Sequence, residues 1–387
     1  MKTYFPALTG VRAVAAYMVV LVHLSARETP EQLPYFNRLV VEYVRQWGIG
    51  VNIFFVLSGF LIATRYADQV TPTWAWLGRY LQNRFARIYP VYFLLSGLTF
   101  GVMLVQPTHG WWEWNAAFTG REKLLAVLLN VTLLRAYFNH FSVLGLPTAW
   151  SLTAEETFYL CAPLLLLGAR RRLRRLVAYA LGLLALGFLL VGFCALFVPH
   201  YGLMQDVRFM LSITFFGHSA EFLMGVGLAL WAAQQPRQPT RRIAYTLLGA
   251  GGIPIYLLVL SLLYRFFPGH YHPLAKGAAD WYYWLVFASN GLLPVLVCSL
   301  LWGLISEQTQ LRRLLETRLF TLLGKASYVL YLIHLGTVDY LFRKYVSDSS
   351  PVCIGAYTLL SIGLYQTVER PLHRRLRAKP QAARVVA

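Results

Sequence analysis

The chain has 387 residues, 57% of them hydrophobic and only 13% charged, where an ordinary soluble domain carries roughly a quarter charged. With a mean hydropathy of +0.51, these proportions exclude a disordered chain, a small disulfide-stapled scaffold and an ordinary soluble enzyme, and leave a polytopic membrane protein. The balance of 35 Lys+Arg against 16 Asp+Glu gives +19, an excess whose meaning depends on where it sits.

A membrane-crossing helix needs about 20 largely apolar residues. Ten segments meet that length: 7–26, 45–64, 86–106, 148–168, 174–198, 207–232, 243–264, 282–305, 320–343 and 352–370. An eleventh, 124–138, is shorter and carries Arg135. Lys and Arg collect in cytoplasmic loops. The run Arg170, Arg171, Arg172, Arg174 and Arg175 is the strongest such marker, followed by the tail from Arg370 to Arg384. With the N-terminus inside and 124–138 on the outer face, cytoplasmic segments hold 22 of the 35 basic residues and outer segments 10. Letting 124–138 span would set the five-arginine run opposite the basic cluster at 65–87. The expectation is an all-α bundle of about ten transmembrane helices plus one interfacial or re-entrant helix, N-in and C-in. The excess charge is mostly orientation, spread over six segments without a stripe, so no nucleic-acid partner is expected. Residues 1–375 are expected to form one integral membrane domain and 376–387 a basic cytoplasmic tail. The first apolar run is interrupted by Arg12 and reads as a span, not a cleavable signal. Cys161, Cys194, Cys298 and Cys353 lie in apolar runs without a C-x-x-C pair, neither a disulfide framework nor a metal site.

Charges at bilayer depth are costly and usually face the bundle interior for a purpose. In the first span Arg12 and His23 are eleven residues apart, about 16 Å along one helix face. Snorkelling for Arg12 and an interfacial position for His23 are the plain alternatives. Ser58-Gly59 in the second span lets another helix approach closely; a nucleophilic Ser58 would need a base nearby. Arg84-Phe85-Ala86-Arg87-Ile88-Tyr89-Pro90 opens the third span with two arginines on one face. They suit either cytoplasmic anchoring or a phosphate clamp. Glu155 and Glu156 in WSLTAEETFYL are either partners of an arginine on another span or an orienter for a histidine. His218 and Glu221 stand at i, i+3, while Lys325 and His334 share the ninth span. Three histidines in separate spans without a His-x-x-x-His or Cys partner do not make a metal site, and His270-x-His272 in an outer loop is weak evidence.

Taken in order, these markers resemble the acyltransferase 3 family of integral membrane O-acyltransferases of bacterial surface glycans and some small natural products. The resemblance runs collinearly from about residue 5 to 375. It is carried by Arg12-x10-His23, FFVLSGFLI at 54–62, RFARIYP at 84–90, WSLTAEETFYL at 150–160, LGKASYVLYLIH at 323–334 and Glu369-Arg370-Pro371. Asn52 stands where the family often has an acidic residue, and Thr9 where it often has Asp. No fused extracytoplasmic hydrolase-like domain is expected here, which leaves presentation of the acceptor either to this chain or to a separate extracytoplasmic partner.

The resemblance implies a multi-pass protein of the bacterial cytoplasmic (inner) membrane. It would move a short acyl group, commonly acetyl, from acyl-CoA to a hydroxyl of an extracytoplasmic or lipid-linked carbohydrate, without a metal. His23 would be general base or transient acyl carrier, Arg12 its motif partner and Glu155 a further catalytic group. Arg84 and Arg87, with Tyr89 beside them, would contact the CoA phosphates. Ser58, Ser151, Glu156, Lys325, Tyr328 and His334 are further candidates. A transporter or flippase of a lipid-linked sugar, with buried charges lining its path, is the competing reading; no corresponding pair of broken spans supports it.

Overall fold

The computed structural model describes residues 4–27, 34–106, 114, 118–169, 172–197, 200–235, 243–266 and 281–378. Arg170, Arg171, the His270/His272 pair and tail residues 379–387 lie outside them. Among the described residues the only β pairing is an isolated bridge between Phe138 and Leu203; the regular structure is otherwise helical. The all-α expectation is borne out. Nine described helical stretches are long and apolar enough to cross a membrane, and a bent pair makes a tenth.

The first helix, α1 (Pro6–Ser25), starts on a proline whose missing N–H costs nothing at a helix start. A short α2 (Tyr35–Val44) and a tight turn lead into α3 (Gly50–Tyr66). The third span begins earlier than hydropathy alone suggests. Thr73 caps Trp76 N–H, and α4 (Trp74–Val105) runs 32 residues through Pro90, so Arg84 and Arg87 lie well inside a continuous helix.

The 124–138 segment is a helix only in part. Thr119 and Glu122 close a capping box at the start of α5 (Gly120–Val131), whose 12 residues cover about 18 Å, too short for a bilayer core of about 30 Å. Three short 3-10 turns then lead into α6 (Trp150–Ala169), which is followed by α7 (Leu173–Leu196). The sixth span is broken at Thr214, where the backbone turns extended between α8 (Val207–Ile213) and α9 (Phe215–Ala232). Next come α10 (Ala244–Phe266), α11 (Trp281–Ser306) and the short α12 (Gln310–Leu315).

The ninth span departs most from expectation. Instead of one helix over 320–343, α13 (Arg318–Ile333) and α14 (Thr337–Tyr345) meet at 82°. Gly336 makes the corner with φ +94° and ψ −142°, a conformation that a side chain would strain. The break leaves His334 at a helix end rather than inside a span. Finally α15 (Ser350–Leu364) passes through a π-turn at Tyr365–Glu369 into α16 (Arg370–Leu376).

Lipid offers no hydrophobic drive for helices to associate, so close backbone packing and buried hydrogen bonds hold such bundles together. The core follows that rule. The membrane stretch containing α9 is 78% buried, whereas α7 is only 17% buried and turns its Leu and Phe side chains outward. A Cβ at Gly59 on α3 would strike the Phe222 carbonyl, and one at Gly225 the Val56 carbonyl. The Ser-Gly pair read as a packing site is therefore one half of a reciprocal close approach between α3 and α9.

Candidate active site

At one end of the bundle the last turns of α1 and α13 bring two histidines together. His334 Nε2 lies 3.1 Å from His23 Nδ1, with ring centroids 5.0 Å apart. His23 Nδ1 is also 2.8 Å from the Val19 carbonyl, and His334 Nδ1 is 3.2 Å from the Leu330 carbonyl. A carbonyl oxygen can only accept, so in the neutral rings both Nδ1 atoms carry the proton. His334 Nε2 then accepts from His23 Nδ1–H, and the lone pair of His23 sits on Nε2. The helix backbone thus selects the tautomer. His334 is 2% exposed, while His23 is half-buried.

One turn further along, Asp339 gathers three elements. Its carboxylate accepts from Arg27 (2.6 Å), Arg343 (2.8 Å) and the Tyr357 hydroxyl (2.6 Å). Arg27 follows His23 by four residues and Asp339 follows His334 by five, so the carboxylate straps the two helix ends beside the histidine pair. The segment 135–149 closes this end from another side. Arg135, fully buried, donates to the Asn130 side chain and to the Leu144 and Leu146 carbonyls. Burial holds its guanidinium below its ordinary value, and burial pushes the nearby Tyr137 phenol up to about 12. Ser151 shares a hydrogen bond of 2.7 Å with Tyr331, whose hydroxyl also donates to the Thr148 carbonyl at 2.9 Å. Tyr331 lies 5.9 Å from the His334 ring.

Deeper in the bundle, Glu155 accepts from Ser58 (2.5 Å) and from Tyr159. The bonding fixes the carboxylate and makes Ser58 its donor. Arg12 lies over the Phe54 ring (5.7 Å) and within electrostatic reach of Arg87, Glu155 and Glu369. Toward the far end, Arg87 is ion-paired with buried Glu369 and sits over the Tyr328 ring. Tyr328 itself donates to the Ile88 carbonyl at 2.8 Å. Arg84 is held by aromatic faces, 5.6 Å from Tyr66 and 5.4 Å from Tyr159. Its Nε and one Glu156 carboxylate oxygen are buried without a hydrogen-bond partner. Tyr89 stacks on Phe85 at 4.7 Å. Among the described residues Arg12 and Arg84 have no ion-pair partner, while Arg87 is committed to Glu369.

Of the residues singled out from sequence, the structure groups His23, His334 and Ser151 at one end. It groups Arg84, Arg87, Glu156 and Tyr328 toward the other, with Arg12, Ser58 and Glu155 between. Lys325 is exposed on α13. His218 belongs to neither group: Nε2 donates to the Ser212 carbonyl (3.0 Å), Nδ1 meets Glu221 (3.2 Å), and Asn52 donates to Glu221 at 2.6 Å. With both nitrogens committed, that buried triad pins α3 to α9. Asn52, the departure noted in the sequence, is the piece that completes it. Tyr159, Tyr331, Asp339 and Arg135 were missed; Tyr159 at i+4 from Glu155 and Tyr331 at i−3 from His334 carried a readable spacing signal. Among the described residues no group of three or more His, Cys, Asp or Glu is placed to hold a metal ion.

With this geometry, the acyltransferase domain profile matches residues 5–366. The chain belongs to the acyltransferase 3 family. Acyltransferase MdmB of Streptomyces mycarofaciens is 27% identical over 409 residues, covering 97% of this chain and 94% of that protein. O-acetyltransferase OatA of Staphylococcus aureus (strain NCTC 8325 / PS 47) is 23% identical over 401 residues, covering 96% of this chain but 58% of that protein. Several other Staphylococcus aureus relatives are 23% identical, and this chain spans 53% of their length, about half. No solved structure matches. Family and apolar helices together make this acyltransferase 3 member a multi-pass membrane protein.

Proposed function

We propose that this protein is a membrane O-acyltransferase that takes a short acyl group, acetyl foremost, from cytoplasmic acyl-CoA. The acceptor is a hydroxyl of an extracytoplasmic or lipid-linked carbohydrate. The orientation is N-in and C-in, residues 1–375 act as one unit, and the setting is the bacterial inner membrane. The observation that carries the reading is the contact between His23 and His334 at one end, with Arg84, which has no ion-pair partner among the described residues, toward the other and Arg12 between them. A polyanionic donor is attracted to guanidinium groups, and arginine offers phosphate a forked donor. Arg84 is the principal contact in this reading. Arg87 helps to shape the site, since Glu369 already occupies its fork.

The acceptor reaches the opposite end. His23 Nε2 removes the hydroxyl proton as the oxygen attacks the thioester carbonyl; the C–O bond forms, the C–S bond breaks, and the proton passes to the departing thiolate. His334 accepts the His23 Nδ1–H bond, which holds the ring in the tautomer whose Nε2 can act as base and favours the imidazolium that forms. In the variant mechanism the acyl group rests on His23 before the acceptor arrives. About 16 Å separates Arg12 from His23 along α1, so the thioester arm of the donor has to run along that helix past Glu155.

The test is transfer of labelled acetyl from acetyl-CoA into membrane glycans and glycolipids. His23→Ala, in protein shown to insert and fold, is expected to lose about 10²–10⁴-fold, the usual contribution of a positioned general base. An unchanged rate in His23→Ala would falsify both versions of the mechanism.

A further inference from the structure

Two loops that the chemistry above does not use meet beside the histidine end. One is the 3-10 turn Asn139–Phe141; the other is His200–Gly202 with the residues up to Gln205. Met204 N–H donates to the Tyr137 carbonyl at 2.9 Å, and Phe138 bridges Leu203. Between the loops lies an open cavity of about 300 Å³, lined by Asn139, His140, Tyr201, Gly202 and Gln205. The first loop is part of the 135–149 segment whose far end, at Thr148, hydrogen-bonds Tyr331 next to His334.

The lining has a definite chemistry. Among the described residues it holds two amides, an imidazole and a phenol, with no Asp, Glu, Lys or Arg. Asn139 donates its amide N–H to the Gln205 amide oxygen. That bond leaves the Asn139 oxygen as an acceptor group and the Gln205 NH2 as a donor group that it does not use. Exchanging oxygen and nitrogen in both amides would again leave one of each. A donor and an acceptor side by side match the adjacent hydroxyls of a sugar ring, each of which can donate and accept. Tyr201, tilted 32° to the His140 ring at 6.0 Å and 5.2 Å from Phe141, adds aromatic surface for the C–H face of such a ring.

The backbone is strained to make this surface. Tyr201 (φ +57°), Gly202 (φ +70°) and Met204 (φ +46°) are left-handed within four residues, and two of them bear side chains. Strain of that kind collects at ligand sites. The volume is at the lower end of the roughly 300–1,000 Å³ of ligand clefts, room for one sugar unit.

We propose that this cavity is a sugar-binding subsite that takes one neutral pyranose unit through a pair of adjacent hydroxyls. It rests on the carbohydrate acceptor proposed above and sets recognition of that acceptor apart from the atoms that transfer the acyl group.

The experiment needs no donor. The full chain in lipid nanodiscs is titrated with the methyl glycosides of glucose, galactose, mannose, rhamnose and N-acetylglucosamine, and binding is read by saturation-transfer NMR. At least one glycoside is expected to bind in the millimolar range. Tyr201→Ala and Gln205→Ala should each weaken it about tenfold, the equivalent of one lost contact. Gln205 is exposed, so its variant keeps the test open should Tyr201→Ala misfold. Absence of binding by all the glycosides overturns the proposal, as does binding that both variants leave unchanged. If glycoside binding and its loss hold while His23→Ala transfers normally, the histidine chemistry fails and the subsite stands.

Discussion

Around His23 and His334 the fixing contacts run to backbone carbonyls and to each other, whereas around Arg84 and Arg87 they run to a carboxylate, phenol rings and a hydroxyl. The first arrangement sets proton positions, because carbonyl oxygens can only accept. The second stores charge, and leaves Arg84 with a buried Nε that has no hydrogen-bond partner. A base needs a defined tautomer, and an anion site needs spare donors. The two ends supply those separate needs, with Glu155, clamped by Ser58 and Tyr159, between them.

Removing parts of each end in turn breaks or sharpens that contrast. The largest stability effect is expected at the ion pair between Arg87 and buried Glu369. Glu369→Ala leaves the half-buried Arg87 cation without its partner and should cost up to about 3–5 kcal/mol, while the double variant Arg87→Met/Glu369→Met should cost much less. Unfolding of the purified protein in a graded denaturing detergent reads both. At the histidine end, Arg135→Ala leaves the Leu144 and Leu146 carbonyls buried without their donor. A loss of about 1–3 kcal/mol is expected; a stability equal to wild type would show that segment 135–149 is held by something else.

Arg84→Ala should leave folding intact and raise the KM for acetyl-CoA about tenfold, about 1.4 kcal/mol, with kcat little changed. A fall in kcat at constant KM would move Arg84 from binding to chemistry. Ser58→Ala should be the mildest, about 0.6 kcal/mol for one hydrogen bond between membrane helices, with transfer retained. Complete loss of transfer there would instead point to Ser58 as a nucleophile.

Much of the fold was legible because hydrophobic runs and basic loops are one-dimensional signals. The all-α class and the number of candidate spans were both readable in that way. The corner at Gly336 was not, since a single glycine in an apolar run has the same hydropathy whether the chain bends there or continues. Its consequence, His334 at a helix end against His23, depends on a contact between residues 311 apart. Arg12, His23, Glu155, Arg84 and Arg87 stood out as polar groups in apolar surroundings. Asp339 did not, because it lies near the end of a span where a charge needs no explanation, and Arg135 stood out only as a charge in the short 124–138 segment, with no sign of the carbonyls it binds. Pairing was equally hidden: nothing in the order of residues says that Glu369 takes Arg87 and leaves Arg84.

The division of labour between the two ends is tested most directly by sidedness. In proteoliposomes of one orientation, labelled acetyl-CoA is supplied to one face and a hydroxyl acceptor to the other. Transfer is predicted only when acetyl-CoA is on the face nearer Arg84 and the acceptor on the face nearer His23. Equal transfer from either face, or transfer with the two exchanged, would contradict the account.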